Sequence, residues 1–156
     1  MRQRLITLIR RADNNEDMHQ SHVLYTRVIK TQSLESYLSL IEIANVYYNR
    51  SLNCTKISDY FFSSEGKESQ PTSAHAYMEK AVTDMEKARS IYPSEADVNA
   101  CTECLTEYQH SLSIIMTRLR SRVAAIPPLN ADLFQAQAQS QDGATASSSM
   151  PMEPNN

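Results

Sequence analysis

Two cysteines and two histidines have spacings at which side chains can bind a metal ion or carry out redox chemistry. Cys101 and Cys104 form a C-x-x-C pair, and His19 and His22 are one helical turn apart. A structural zinc site needs four ligands, usually from two such pairs, whereas the third cysteine, Cys54, stands alone in the sequence. A redox C-x-x-C lies at a turn before a helix, but this pair falls inside a predicted helix. The spacing favours a packing role over chemistry, and metal or redox use of Cys101 and Cys104 is kept as an alternative.

The chain lacks the short motifs that carry common catalytic mechanisms. G-x-S-x-G, G-x-G-x-x-G, a phosphate-binding loop, H-E-x-x-H and the protein-kinase motifs are all absent from the sequence. Only 2 Gly occur in 156 residues, and phosphate-cradling loops and tight hairpins need Gly because their backbone has positive φ. We predict no catalytic residues, no cofactor and no metal ligands, so the chain itself is expected not to be an enzyme.

Charge and hydropathy exclude two further classes of function. The net charge is -3 and the pI is about 5.8, unlike the dense basic stripe of a nucleic-acid-binding protein. No apolar run approaches the ~20 residues of a membrane span, and the N-terminus does not fit a secretory signal. We expect a cytoplasmic protein with reduced thiols that binds no nucleic acid. The short basic clusters are interpreted as solvated helix faces: Arg2, Arg4, Arg10 and Arg11, and then Arg118, Arg120 and Arg122.

Scarce Gly and apolar spacings of three and four predict an all-α protein, an antiparallel helical bundle. One face contains Leu34, Tyr37, Ile41, Ala44, Tyr48 and Leu52, with Ser33 as its expected N-cap. Residues 63–73 predict a loop, and a further helix ends at Pro93. Ser94 is the expected N-cap of the last helix, whose apolar seam is Val98, Cys101, Leu105, Tyr108, Leu112, Ile115 and Leu119. The bundle is predicted to span residues 1–126, and the polar composition of residues 127–156 predicts a disordered tail.

The surplus of Tyr, Phe and Met side chains suggests a groove that accepts a partner. Such residues at helical spacing are usually core, and they also line grooves that bind an amphipathic helix. The groove is expected beside the helix that follows Ser94. The predicted partner-binding residues are Tyr47, Phe61, Phe62, Leu105 and Tyr108.

Scattered residues from Leu40 to Ser113 match the spacing of a known family. They are Lys80-Ala81, Glu86, Ala96-Asp97-Val98, Thr102, Cys104 and Leu112-Ser113, with Leu40-Ile41, Val46 and Ser51 upstream. In these residues the chain resembles the C-terminal region of the Unc-51-like protein kinases that initiate autophagy. The resemblance implies an MIT-like module over residues 40–123, in a region built from tandem three-helix modules. It also implies binding to a HORMA-domain autophagy adaptor and peripheral membrane association through that complex, with catalysis in a separate kinase domain.

The favoured hypothesis is a non-catalytic interaction module that binds an adaptor subunit through a helix groove. One alternative is a self-associating helical or coiled-coil scaffold, in which the seam of residues 98–119 pairs with a second copy. Another is a tetratricopeptide-like adaptor unrelated to autophagy, because residues 77–93 resemble one tetratricopeptide helix, although no second copy occurs at the required period.

Overall fold

The described part of the chain is mainly α-helical. The computed structural model describes residues 1–63 and 70–125. Within them the elements are α1 (Arg2–Asp13), α2 (Met18–Ile29), a 3₁₀ turn (Leu34–Ser36), α3 (Leu40–Ser63), α4 (Pro71–Ile91) and α5 (Glu95–Ala124). No strand occurs in the described ranges, so the prediction of an all-α helical bundle is confirmed.

Helix α3 is the centre of the bundle because it packs into two hydrophobic cores. The first core joins α3 to α1, α2 and the 3₁₀ turn, and its buried residues include Leu5, Tyr25, Val28, Leu34, Ile43 and Val46. The second core joins α3 to α4 and α5, and its buried residues include Cys54, Met78, Met85, Cys101, Leu105 and Ile115. A helix buried on two sides has no single apolar stripe, which makes its inner faces hard to recognise from sequence.

Side-chain contacts between helices give the direction of each helix relative to α3. Thr26 Oγ1 accepts a hydrogen bond from Arg50 at 3.1 Å, and His22 contacts Cys54 four residues further along α3. Since the α2 partner moves backwards as the α3 residue moves forwards, α2 is antiparallel to α3. Arg118 on α5 donates to the carbonyl oxygen of Phe62 at 3.4 Å. Together with the Tyr48–Cys104 contact nearer the start of both helices, this makes α5 parallel to α3.

Small residues at intervals of seven allow α3 and α4 to pack closely as antiparallel helices. They are Ala44, Ser51 and Ser58 on α3, and Ala74, Ala81 and Ala88 on α4, and all six have no exposed surface. Ser58 Oγ donates to the Ala74 carbonyl oxygen at 2.7 Å, and Ser51 Oγ donates to the Ala81 carbonyl oxygen at 2.7 Å. The same register places Ala44 opposite Ala88. The two serines thus satisfy their hydroxyls on the neighbouring backbone, which makes their burial tolerable.

The predicted start of α3 was wrong. Ser33 makes no side-chain capping hydrogen bond and has φ 55°, in the left-handed region. The helix begins instead at Leu40, where Ser39 N–H donates to Glu42 Oε2 at 2.8 Å and Glu42 N–H donates to Ser39 Oγ at 3.3 Å. This reciprocal capping box satisfies two free backbone donors. Ile41, which was predicted to face the core, is therefore 52% exposed.

The predicted start and apolar seam of α5 are confirmed, whereas both ends of the loop predicted before α4 are helical. The break falls at Pro93, and Asp97 N–H donates to Ser94 Oγ at 3.3 Å, as expected for an N-cap. The seam residues with the least exposure are Cys101, Leu105, Tyr108 and Ile115. Pro71 occupies the first turn of α4, where its missing N–H has no helical partner to lose, so residues 71–73 are helical. Ser63 at the other end of the predicted loop is the last residue of α3, Gln70 is not helical, and residues 64–69 lie outside the described residues.

Residues Met1–Val123 form one unit, defined by contacts within the chain. The predicted bundle was residues 1–126, and the predicted tail of residues 127–156 lies outside the described residues. None of the described helices combines the length and the apolarity that a membrane crossing requires.

Candidate functional site

Leu105 and Tyr108, two of the predicted partner-binding residues, lie in the second hydrophobic core. They are 5% and 6% exposed. The Tyr108 hydroxyl lies 3.4 Å from Ser51 Oγ on α3, and burial raises the pKa of Tyr108 to about 12. Both side chains hold α5 against the bundle, so a partner could reach them only if α5 moved.

Phe61 and Phe62 lie near the end of α3 and are half-buried on different sides of the helix. The Phe61 ring stacks on Tyr77 of α4, with centroids 5.9 Å apart and an interplanar angle of 19°. The Phe62 ring lies under the guanidinium of Arg118, 4.9 Å from the ring centroid, which is a cation–π distance. Both rings already have partners within the chain and stabilise the packing of α3 against its neighbours.

Tyr47 lines a pocket of about 280 Å³ at the junction of α2, α3 and α4. We call this the Tyr47 pocket. Its apolar lining residues are Ile29, Leu34, Leu40, Ile43, Tyr47 and Ile91. Leu34 and Ile43 are buried and form the floor, whereas Leu40 at the rim is 61% exposed. The volume lies just below the ~300–1,000 Å³ of cofactor and drug-sized sites, so it suits an inserted side chain better than a cofactor.

The five predicted residues therefore do not share one groove. Tyr47 and Phe61 are fourteen residues apart on α3, which is roughly 21 Å along a helix at 1.5 Å per residue. Of the five, Tyr47 lies in a concave site with an exposed apolar rim. The charged residues that line the Tyr47 pocket are Glu35 and Lys87, and both are exposed. Charges of both signs thus flank an apolar floor.

The C-x-x-C pair lies on α5, with Cys101 buried and Cys104 half-buried. The Cys104 sulfur is 4.0 Å from the Tyr48 hydroxyl. Burial, followed by the neighbouring Cys104, raises the pKa of Cys101 above its usual value, which keeps it a neutral thiol. Among the described residues, no group of three or more His, Cys, Asp or Glu side chains could hold a metal ion.

A Cys–His contact that the sequence did not reveal lies between α2 and α3. His22 Nδ1 is 3.5 Å from Cys54 Sγ, an arrangement that resembles a nucleophile and its base. Burial raises the pKa of Cys54 to about 12, and burial followed by the nearby Lys80 lowers the pKa of His22 to about 4. At neutral pH both groups are therefore uncharged, and transfer of the thiol proton to the imidazole is strongly unfavourable. The contact is suited to packing and not to nucleophilic catalysis.

The most polar group in the interior is an ion pair between α3 and α4. Arg50 donates from Nε to Asp84 Oδ2 at 2.7 Å and from Nη2 to Asp84 Oδ1 at 2.6 Å. The side chains are only 9% and 3% exposed. Arg50 Nη1 also donates to Thr26 of α2, and its guanidinium lies 5.9 Å from the centroid of the Tyr47 ring. Arg50 thus supports Tyr47 from inside the bundle and fixes it relative to α4.

No family model, curated protein or solved structure matches this chain.

Proposed function

We propose that this chain is a non-catalytic protein-interaction module that binds a partner through the Tyr47 pocket. The observation that carries the proposal is a concavity of about 280 Å³ with the buried side chains of Leu34 and Ile43 at its base, beside Leu40, which is 61% exposed. An anchor side chain that fills such a pocket is the usual centre of a protein interface. The Cys54–His22 contact, the group nearest to a catalytic pair, is held neutral.

The resemblance to the C-terminal region of the Unc-51-like kinases supports a specific partner. Helix α5 is parallel to α3, and α4, which lies between them in the sequence, is antiparallel to α3. This arrangement suits a three-helix MIT-like module. Two residues of the resemblance have packing roles in it: Ala81 accepts the hydrogen bond of Ser51, and Cys104 contacts Tyr48. On this basis the partner is a segment of the HORMA-domain adaptor of the autophagy-initiation complex, presented as a helix or extended strand with one large apolar anchor.

The apolar seam on α5 is poorly accessible to a second copy of the chain. Cys101, Leu105, Tyr108 and Ile115 are each no more than 6% exposed, because α3 and α4 cover them. A coiled coil with a second copy would need the same residues. We therefore favour binding of a partner at the Tyr47 pocket over self-association through the α5 seam.

Isothermal titration of the chain with the adaptor's C-terminal segment tests the proposal. We expect binding at tens of micromolar or tighter. Leu40→Glu should weaken binding at least tenfold, because it adds a charge at the rim of the Tyr47 pocket. Ile114→Glu is the matched control, since Ile114 is 47% exposed on α5 and does not line that pocket. If the segment does not bind, or if both variants weaken binding equally, the proposal is wrong.

A further inference from the structure

Two clefts lie along the groove between α1 and α2. The larger, of about 470 Å³, is lined by residues that include Arg4, Leu5, Leu8 and Arg27. The smaller, of about 280 Å³, is lined by residues that include Arg11, Asn15, Val23 and Leu24. These clefts share only Thr31 with the Tyr47 pocket, and no function assigned above uses them.

The two clefts belong to one continuous stripe of the α1–α2 hairpin. On α1 the lining residues Arg4, Leu8 and Arg11 recur at spacings of four and three, so they lie on the same face of the helix. On α2 the lining runs from His19 to Arg27, which is roughly 12 Å at 1.5 Å per residue, and Thr31 lines the larger cleft beyond the end of the helix. The lined part of α2 corresponds to about two turns of an α-helix. We call this stripe the α1–α2 groove.

The rim of the α1–α2 groove is basic. Arg4, Arg11 and Arg27 are exposed, and within the described part of the chain they make no ion pair or side-chain hydrogen bond. Arg50, by contrast, is paired with Asp84.

The three acidic residues of this region, Asp13, Glu16 and Asp17, line neither of the two clefts. Residues 1–31 contain six Lys and Arg against three Asp and Glu, although the whole chain has a net charge of -3. Asp13 accepts hydrogen bonds from Tyr25 and Asn49. Asp17 accepts hydrogen bonds from backbone N–H groups in the first turn of α2. Six basic against three acidic side chains still leave residues 1–31 with a formal side-chain charge of +3.

We propose that the α1–α2 groove binds an acidic amphipathic helix of a partner protein. Apolar side chains of that helix, three or four residues apart, enter the two clefts and contact Leu8 and Leu24. Carboxylates on its flanks pair with Arg4, Arg11 and Arg27. A concave site with half-buried leucines at its base fits the helix-in-groove mode of recognition, whereas a lipid surface favours apolar side chains that protrude.

A display library of short helices tests this inference on the full chain. Each helix has about four turns, with Leu fixed three and four residues apart and the other positions randomised among Glu, Lys, Ser and Ala. We expect selection to enrich Glu at the positions beside each Leu. The charge-reversed variant Arg4→Glu/Arg27→Glu should bind the enriched helices at least tenfold more weakly, and added salt should weaken wild-type binding.

The matched control reverses two charges on other helices. Arg89 on α4 and Arg120 on α5 are both exposed, so Arg89→Glu/Arg120→Glu changes the net charge equally and should bind the helices as wild type does. Val23→Glu tests the contribution of apolar contacts to binding of the helices. Because Val23 is 63% exposed, its substitution should not unfold the hairpin. Circular dichroism checks the fold of each variant.

Three results would overturn the inference. The first is enrichment of helices that are not acidic. The second is equal binding by the groove variant and its control. The third is a selection that enriches no helix, combined with binding of the wild-type chain to vesicles that contain about one-third phosphatidylserine and loss of that binding in Arg4→Glu/Arg27→Glu. A lipid surface would then be the occupant of the groove. Since Leu40→Glu lies outside this groove, it should keep full binding, and failure at the Tyr47 pocket can be told apart from failure here.

Discussion

Removal of Asp84 should destabilise the bundle more than any exposed charge substitution. In Asp84→Leu, Arg50 loses two hydrogen bonds of 2.7 and 2.6 Å and stays buried with Thr26 as its remaining hydrogen-bond partner. Breaking one side of a buried ion pair costs roughly 3–5 kcal/mol, because a charge is left desolvated and uncompensated. Against a typical total stability of about 5–15 kcal/mol, this is a large fraction. The midpoint of thermal unfolding should fall by roughly 10–20 °C.

Urea unfolding followed by circular dichroism at 222 nm measures this loss. Far-ultraviolet dichroism is the suitable signal because the chain contains no Trp. Arg2→Met is the control. It breaks a similar bidentate pair with Glu42, but the Arg2 side chain is 58% exposed and water screens the interaction. Its effect on the urea midpoint should be much smaller.

The double variant Arg50→Met/Asp84→Leu separates loss of the pair from loss of packing. It removes both charges and fills the space with apolar atoms, so it should recover most of the stability lost in Asp84→Leu. The reasoning would be refuted if Asp84→Leu were no less stable than Arg2→Met. It would be refuted as well if the double variant were no more stable than Asp84→Leu, because the lost stability would then not come from a stranded charge.

Three further predictions concern the contacts around α3. Burial lowers the pKa of His22 to about 4, so the imidazole is protonated more readily in the unfolded chain. Stability should therefore fall as the pH drops from about 6.5 to 4. The variant His22→Gln should flatten this part of the plot of the urea midpoint against pH. Ala81→Leu should cost at least about 1–3 kcal/mol by overpacking a fully buried position, whereas Ala76→Leu at an exposed position of the same helix should leave the urea midpoint nearly unchanged. In native protein at pH 8, iodoacetamide should label Cys104 first and leave Cys54 unmodified, because Cys54 is fully buried with a pKa of about 12. Mass spectrometry after digestion measures the order of labelling, and labelling of Cys54 first would contradict the prediction.

Helices whose faces depend on local spacing were predictable from sequence. The α5 seam has one apolar face and a Ser–Pro boundary, so its period and its start could both be recognised. In α3 the apolar residues are divided between two cores, and the prediction combined them into one face that placed Ile41 inside. The true start depends on the Ser39–Glu42 capping box. That signal is local, and it was overlooked in favour of Ser33.

The candidate site was less predictable because its geometry is non-local. Tyr47 was singled out from the sequence only as an aromatic residue, whereas its pocket needs Leu34 before α3 and Ile91 at the end of α4. The Arg50–Asp84 pair joins residues 34 positions apart, and nothing in either local sequence specifies the other partner. Burial of Ser51 also contradicts the usual preference of serine for the surface, and only the Ala81 carbonyl explains it.

The seven-residue repeat of small residues between α3 and α4 creates an ambiguity of alignment that the rest of the interface must resolve. If α4 slid along α3 by seven residues, small residues would again meet small residues at most positions. Arg50, however, would then face Tyr77 or Ile91 in place of Asp84, and its charge would be buried without a partner at a cost of several kcal/mol. A single polar pair thus distinguishes one alignment from its near-equivalents, as a buried polar residue does in coiled coils. Variants that make the α3–α4 interface wholly apolar should fold to mixed alignments even when they gain stability. The uniqueness of the helix alignment and the stability of the fold are therefore separable properties of this bundle.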